Sequence, residues 1–405
     1  MTIKKRVLIV ALVFLIFSHP QMAISGPARV MTHKVEKHPA NWNSKMQGLY
    51  ISLAELLTDT TTDRRFNDPK YKKQIQKNAD YLSKVAHELS QQKLDLPNTD
   101  PTLQIVSGLL AREAKDAAQF LREGNRAFAR SILRTIPSYC VACHTRNTSG
   151  SQFKELALDP THNAMTGLEK GEFFAATRQF DRALTEFDQQ VKNEKQAQED
   201  HWSWSRSIHE ALSIIVRVKK DPKAAEEIVK VVQNTKSAPH YLREEAKTWE
   251  KSIKEWKSEI NKTFDDENEL MAEAKRLTQK ARDMQKFVTD RSADIYYLRA
   301  SAVLHDLLQI AKTEQNIGDA LLMLGMSYEV LNPLKNSNMH QIYYESCILK
   351  TPHTITSELC YRRYEENIIL GFAGSSGISV PEGLKKRLHQ LETLSRPLDS
   401  VQKPK

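Results

Sequence analysis

Apolar residues recur every three to four positions along most of this chain, and this spacing constrains the fold more than any other feature. The stretches that follow Asp68-Pro69 and Asp100-Pro101 show it clearly. Because aspartate accepts hydrogen bonds from free backbone N–H groups and proline suits the first helical position, each pair predicts a helix start. Only 13 glycines and 15 prolines interrupt 405 residues. The sequence therefore predicts an all-α protein, and its length predicts at least two domains.

The first 25 residues have the composition of a secretory signal. Three basic residues precede an apolar run from Val7 to Phe17, and small residues stand at Ala23 and Ser25. The run is short for a membrane span, so we expect cleavage after Ser25, with an uncleaved anchor as the alternative. An exported protein follows from this expectation, in a bacterial periplasm or beyond the cell, without stable membrane insertion after cleavage.

Residues 26–41 contain glycine and proline without a helical period, and they are predicted to form a flexible leader. Residues 42–150 carry four amphipathic stretches with short connections, a pattern that predicts an antiparallel four-helix bundle. The fourth helix is expected to begin near Asn125 and to be interrupted or kinked at Pro137. Residues 140–144 then lie at its end.

A second helical region is predicted for residues 166–395, after a linker at 151–165 and before a tail at 396–405. Two of its segments resemble tetratricopeptide repeats, in which small residues let paired helices approach and aromatic residues fill the groove. The matching residues are Gly171, Phe174, Phe180, Ala183, Phe187, Leu324, Gly325 and Tyr328. Since the other helices match poorly, an unspecific helical bundle is the alternative to a tetratricopeptide-like α-solenoid.

The motif Cys140-x-x-Cys143-His144 carries the most specific chemistry. Two thiols one helical turn apart can add to the two vinyl groups of one haem, and the adjacent imidazole can coordinate the iron. The motif therefore predicts one covalent haem c, with thioethers at Cys140 and Cys143 and His144 as the proximal axial ligand. The alternatives are a disulfide, a redox-active dithiol and half of a zinc site.

A haem motif at the end of the fourth helix of a bundle resembles class II cytochromes c, the cytochrome c′ and c-556 group. The resemblance covers residues 42–148 and rests on the helix order and on Cys140, Cys143 and His144. It implies the same thioether and proximal-ligand roles. More broadly, the stretches 140–146 and 371–377 resemble uncharacterised bacterial proteins that join such a haem domain to tetratricopeptide repeats.

The sixth iron ligand is a separate question. In the resembled family the first helix lies over the distal haem face, which makes Met46 the candidate; ordinary core packing is the alternative. His87 is a poorer candidate, expected to be solvated, and His33, His38 and His162 lie in leader or linker. Ligation by Met46 implies a closed haem and electron transfer, whereas an open site suits small gases.

Two further cysteines, Cys347 and Cys360, flank Pro352 between two predicted helices. Facing helices of a hairpin bring such positions within disulfide distance, and an exported protein permits the bond. We expect a structural disulfide, with two buried free thiols as the alternative.

A group of basic residues surrounds the start of the second helix. We expect a solvated helix face, with steering of an acidic redox partner as the alternative. The residues are Arg64, Arg65, Lys70, Lys72, Lys73 and Lys77.

The sequence as a whole predicts an exported monohaem c-type cytochrome rather than an enzyme. Its expected task is one-electron transfer or haem-based sensing of redox state or a bound gas, while the repeat region docks a protein partner. The alternatives are a tetratricopeptide scaffold with haem secondary to function, and a haem enzyme acting on peroxide or nitrogen oxides. Despite a formal charge of +9, we expect no nucleic-acid partner, because the chain lacks a base-stacking motif.

Overall fold

A computed structural model describes residues 40–91, 100, 102–146, 165–264, 266–287, 289–331, 338–375 and 377–398. These residues all belong to one compact unit. The predicted signal, nearly all of the leader, most of the linker and most of the tail lie outside the described residues, so these assignments stay predictions.

The described residues are overwhelmingly helical, which confirms the all-α prediction. In residues 40–146 (the N-terminal region), the helices are α1 (Ala40–Thr60), α2 (Asp63–Asn67), α3 (Pro69–Ser90), α4 (Thr102–Arg122) and α5 (Arg126–His144). In residues 165–398 (the C-terminal region), the first helices are α6 (Gly167–Ala176), α7 (Phe180–Val191), α8 (Glu194–Glu199), α9 (His201–Ile214), α10 (Pro222–Asn234) and α11 (His240–Glu259). Those that follow are α12 (Glu267–Met284), α13 (Asp294–Ile310), α14 (Glu314–Leu331), α15 (Met339–Lys350), α16 (Ile355–Gly371) and α17 (Glu382–Ser395).

Two short elements depart from the α-helical pattern. One π-helical turn, Ile215–Lys219, continues α9. A two-stranded antiparallel ribbon, β1 (Ala373–Gly374) and β2 (Gly377–Ile378), pairs Ala373 with Ile378. None of the described helices combines the length and the hydrophobicity needed to cross a bilayer.

Both Asp-Pro pairs mark helix starts as predicted. The Asp68 side chain accepts a hydrogen bond from the Lys70 N–H at 2.9 Å, and Pro69 is the first residue of α3. The Asp100 side chain accepts from the Thr102 N–H at 2.9 Å. These caps satisfy backbone donors that have no partner inside the helix.

The fourth long helix, α5, continues through Pro137, so an interruption there is wrong, while a kink at this residue stays a prediction. Proline removes one backbone hydrogen bond, but α5 buries Leu133 and Ile136 on the face that packs against its neighbours. The burial of this face outweighs the loss of one bond.

Helices that follow one another in the chain also pack against one another. In the N-terminal region α3 contacts α1 and α4, and α5 contacts α4 and α1. The C-terminal region contains the pairs α6–α7, α10–α11, α12–α13, α14–α15 and α15–α16. Contacts of α5 with α6 and of α4 with α15 join the two regions.

Two large apolar clusters contain residues from both regions. The first includes Leu56 and Trp204, and the second includes Val106, Ala142 and Leu324. Side chains of α4 and α5 are therefore buried partly by helices that lie far along the sequence.

Close helix approach occurs at two glycines that the repeat pattern singled out. A Cβ atom on Gly171 would lie 2.3 Å from Cε1 of Phe187, and one on Gly325 would lie 2.2 Å from Cε1 of Tyr344. The predicted role of small residues at these helix pairs is thereby confirmed.

A disulfide joins Cys347 on α15 to Cys360 on α16, with the two Cα atoms 6.3 Å apart. Both cysteines are fully buried. The pairing expected from the hairpin is present, and the alternative of two free thiols is not.

Candidate functional site

Cys140 and Cys143 lie one turn apart near the end of α5, and both are half-buried free thiols. Cys140 packs against the first apolar cluster, while Cys143 packs against the second. A Cys140–Cys143 disulfide, one of the alternatives for this motif, is not formed.

The pKa values of these thiols bear on a second alternative for the motif, a redox-active dithiol. Burial, with Cys143 as a further contribution, raises the pKa of Cys140 to about 12. Burial also raises the pKa of Cys143, against the opposing charge of Arg146. Redox-active dithiols depend on a lowered pKa that supplies a thiolate near neutral pH. This environment therefore disfavours a redox-active dithiol.

His144 is the last residue of α5, and its ring is fixed by a contact with α6. Its Nδ1 atom lies 2.6 Å from the carbonyl oxygen of Ala176. Since a carbonyl oxygen only accepts hydrogen bonds, Nδ1 carries the proton and the neutral ring has its lone pair on Nε2. Burial, and then the charge of Arg178, lower the pKa of His144 to about 4. The imidazole is thus neutral near pH 7.

Metal-binding histidines commonly donate the other ring N–H to a carbonyl or carboxylate. Two free thiols one turn apart can form the thioether bonds of a covalent haem, and a neutral imidazole can coordinate its iron through Nε2, so the residues present fit this group.

A zinc site would need additional protein ligands. Within the described ranges, no cluster of three or more His, Cys, Asp or Glu side chains is arranged to hold a metal ion. Cys347 and Cys360, the other cysteines of the chain, are bonded to each other.

Ala176 and Arg178 also contact the motif, and no sequence pattern predicted them. Besides the Ala176 contact, the Arg178 Nη1 atom donates to the His144 carbonyl oxygen at 3.2 Å. Neither residue carries a recognisable motif, and they follow His144 by 32 and 34 positions. Nothing in local periodicity identifies such partners.

Met46, the predicted distal ligand, is half-buried on α1 and packs against the same apolar cluster as Cys140. One turn further along α1, Tyr50 stacks on Phe173 with ring centroids 5.9 Å apart. The Tyr50 hydroxyl also accepts from Gln179 at 3.4 Å. Since Phe173 and Gln179 flank Ala176 in the chain, α1 lies near the segment that holds His144. These contacts agree with core packing of Met46, and its ligation stays a prediction.

The other histidine candidates are less well placed or not described. His87 is exposed near the end of α3, as expected for a solvated side chain. His33, His38 and His162 lie outside the described residues.

A buried polar cluster, here called the Asp100 cluster, anchors the chain just after the motif; its members are Asp100, Thr102, Arg146, His305 and Tyr343. The Arg146 Nη1 atom lies 2.5 Å from Asp100 Oδ2. His305 Nδ1 lies 3.4 Å from the same oxygen, and the Tyr343 hydroxyl lies 3.3 Å from His305 Nε2. Burial favours a raised pKa for Asp100, but Arg146 and His305 outweigh it and hold this pKa well below its usual range.

The predicted basic group is partly engaged in local contacts. Arg65 pairs with Asp59 at 2.8 Å and lies over the Tyr71 ring, 4.4 Å from its centroid. The remaining members on α2 and α3 are exposed: Arg64, Lys70, Lys72, Lys73 and Lys77. This is the solvated face that was expected, and partner docking stays the alternative.

Comparisons with the models of known protein families, with curated proteins and with solved structures gave no match to this chain.

Proposed function

We propose that this protein is an exported c-type cytochrome with one covalent haem, attached through Cys140 and Cys143 and ligated by His144. The observation that carries the proposal is the state of the motif: two free thiols, and a neutral imidazole whose Nδ1 donates to a carbonyl. Its function is one-electron transfer or haem-based sensing.

When bound, the haem supplies a one-electron couple and, if its sixth position is open, a site for small gases. The residues of this chain provide the surroundings. Cys140 and Cys143 adjoin two different apolar clusters, which lower the local dielectric at the attachment points. His144 is oriented by the hydrogen bond from its Nδ1 to the Ala176 carbonyl, and Nε2 would be the atom that coordinates the iron.

We further propose that the N-terminal region is a four-helix bundle of the class II cytochrome type. The contacts of α1 with α3 and α5, and of α4 with α3 and α5, are the neighbour pattern of such a bundle. In this arrangement the motif ends the fourth long helix.

The C-terminal region, in the same proposal, is a tetratricopeptide-like solenoid that docks a protein partner. Its support is the tight contact of Gly171 with Phe187 and of Gly325 with Tyr344 within paired helices. Stacked helix pairs of this kind form extended surfaces suited to binding a protein segment.

The deciding experiment is production of the full chain in a bacterial host that attaches haem to exported Cys-x-x-Cys-His proteins. We expect a haem stain that survives a denaturing gel, because the attachment is covalent. The double variant Cys140→Ala/Cys143→Ala should lose the stain, whereas the matched double variant Cys347→Ala/Cys360→Ala should keep it. Colourless full-length protein would exclude the cytochrome and leave the helical scaffold as the alternative.

Absorption of the ferrous protein with and without CO separates electron transfer from sensing. A six-coordinate spectrum that CO does not change favours electron transfer, and ready CO binding favours sensing or catalysis. If Met46 is the sixth ligand, Met46→Ala changes the spectrum, while Met284→Ala, at a half-buried methionine in another apolar cluster, does not.

A further inference from the structure

The turn that follows α6 has an unusual residue at its left-handed position. The Arg178 N–H donates to the Ala175 carbonyl at 3.2 Å, and the Gln179 N–H donates to the Phe174 carbonyl at 2.8 Å. These two bonds form a Schellman motif, in which glycine is the usual left-handed residue. Here Arg178 adopts φ of 58°. A residue with a Cβ atom is strained in this conformation.

The arginine at this position makes a contact that glycine has no side chain to make. Its guanidinium donates to the carbonyl of His144 at the end of α5, at 3.2 Å. In return, the His144 ring donates to the carbonyl of Ala176 at the end of α6, at 2.6 Å. Each helix end thus offers a side-chain donor to a terminal carbonyl of the other. We call these two hydrogen bonds the terminal clasp.

Both acceptors are carbonyls at helix ends, which lack partners within the helix and carry partial negative charge. A short bond from Nδ1–H to such an oxygen fixes the ring orientation and increases the basicity of Nε2. By fixing the ring through Nδ1, the clasp also sets the direction in which Nε2 points.

We infer that Arg178 is a positioning residue for the proposed iron ligand, and that the α6–α7 turn of the C-terminal region fixes the tautomer and orientation of His144. This inference rests on the proposed function. Arg178 acts through His144 and through the turn that presents Ala176. The cost of a left-handed arginine is offset by the contact with the end of α5.

The left-handed geometry itself supplies a sharp test. Arg178→Gly places at the left-handed position the residue that a Schellman turn ordinarily prefers, and it removes the guanidinium. We expect the haem to remain attached, and the His144 Nδ1 proton to exchange with solvent at least tenfold faster, as followed by proton NMR of the holoprotein in H₂O and D₂O. Arg178→Lys, which keeps a cationic donor, should restore slow exchange.

The matched control is Arg182→Gln on the same hairpin, because Arg182 donates to Gln179 and stacks on Phe174. Its removal should leave the exchange rate of the His144 proton unchanged. A holoprotein of Arg178→Gly, or of the second left-handed-tolerant variant Arg178→Asn, that exchanges at the wild-type rate would overturn the inference while leaving the cytochrome intact. Loss of haem from the wild-type chain itself would instead reject the proposed function.

Discussion

The end of α5 and the α15–α16 hairpin each contain two cysteines, but the two regions are held together by different means. In the hairpin, Cys347 and Cys360 stand on facing helices and are themselves the cross-link. On α5, Cys140 and Cys143 share one helix and stay free. There one link to distant parts of the chain is the Asp100 cluster, which is not covalent. Non-covalent anchoring leaves the thiols of the motif available for chemistry.

The largest expected effect tests the non-covalent anchor. Arg146→Met removes the cation that neutralises buried Asp100, and loss of one partner from a buried ion pair costs about 3–5 kcal/mol. Urea unfolding should show this loss in the free energy of unfolding. The control is Arg122→Met, since Arg122 pairs with Asp80 at 2.5 Å on the surface, where exposed pairs contribute little. Equal losses in the two variants would contradict the importance that we give to the cluster.

The next effect tests the covalent anchor. Cys347→Ala/Cys360→Ala opens a loop defined by a sequence separation of 13, and the chain-entropy model predicts a loss of about 3 kcal/mol. Unfolding of the oxidised wild type and of the double variant in urea measures this difference. Reduction of the wild type should reproduce it, and an unchanged midpoint after both treatments would show that the bond contributes nothing.

The smallest effect is a pH dependence of stability that the Asp100 cluster should show and the disulfide should not. Burial lowers the pKa of His305 from an ordinary value of 6.5 to about 4, so the folded state binds this proton less readily than the unfolded chain. The contribution of His305 to the free energy of unfolding is complete above pH 6.5. It falls by roughly 2–3 kcal/mol as the pH decreases towards 4. His305→Gln should remove this loss.

Buried carboxylates elsewhere act in the opposite direction. Burial raises the pKa values of Glu172, Glu210 and Glu245 to about 7. The protein therefore loses the stability that these groups contribute as the pH rises from 4.5 to 7. They are present in both proteins, so the difference between wild type and His305→Gln isolates the histidine. Parallel stability curves from pH 7 to 4 would contradict the assignment.

Local sequence patterns were sufficient to predict the helices and the contacts between residues that are near in sequence. Asp68 and Asp100 identified two helix starts, Gly171 identified a close helix pair, and the spacing of Cys347 and Cys360 identified the disulfide. In each case the physical cause lies within one helix or within two consecutive helices. The position of the candidate site on the chain was equally accessible, because it depends on a five-residue motif.

The residues that surround this motif in the fold could not be predicted from local sequence patterns. Periodicity predicts which face of a helix is buried, but not which distant helix covers it. The contacts of His144 with Ala176 and of Arg146 with Asp100 depend on tertiary packing. Pro137 illustrates the same limit, because its local preference was overridden by the burial of α5 between neighbouring helices.

The Asp100 cluster also has a consequence for biosynthesis. Tyr343, which completes the cluster, is synthesised 200 positions after Cys143. At translation rates of ~5–20 residues per second, the interval is roughly 10–40 s. Until then the Asp100 cluster lacks its last member, although α6 and α13 have already been synthesised. The anchor at the end of α5 is therefore completed only after most of the chain has been synthesised.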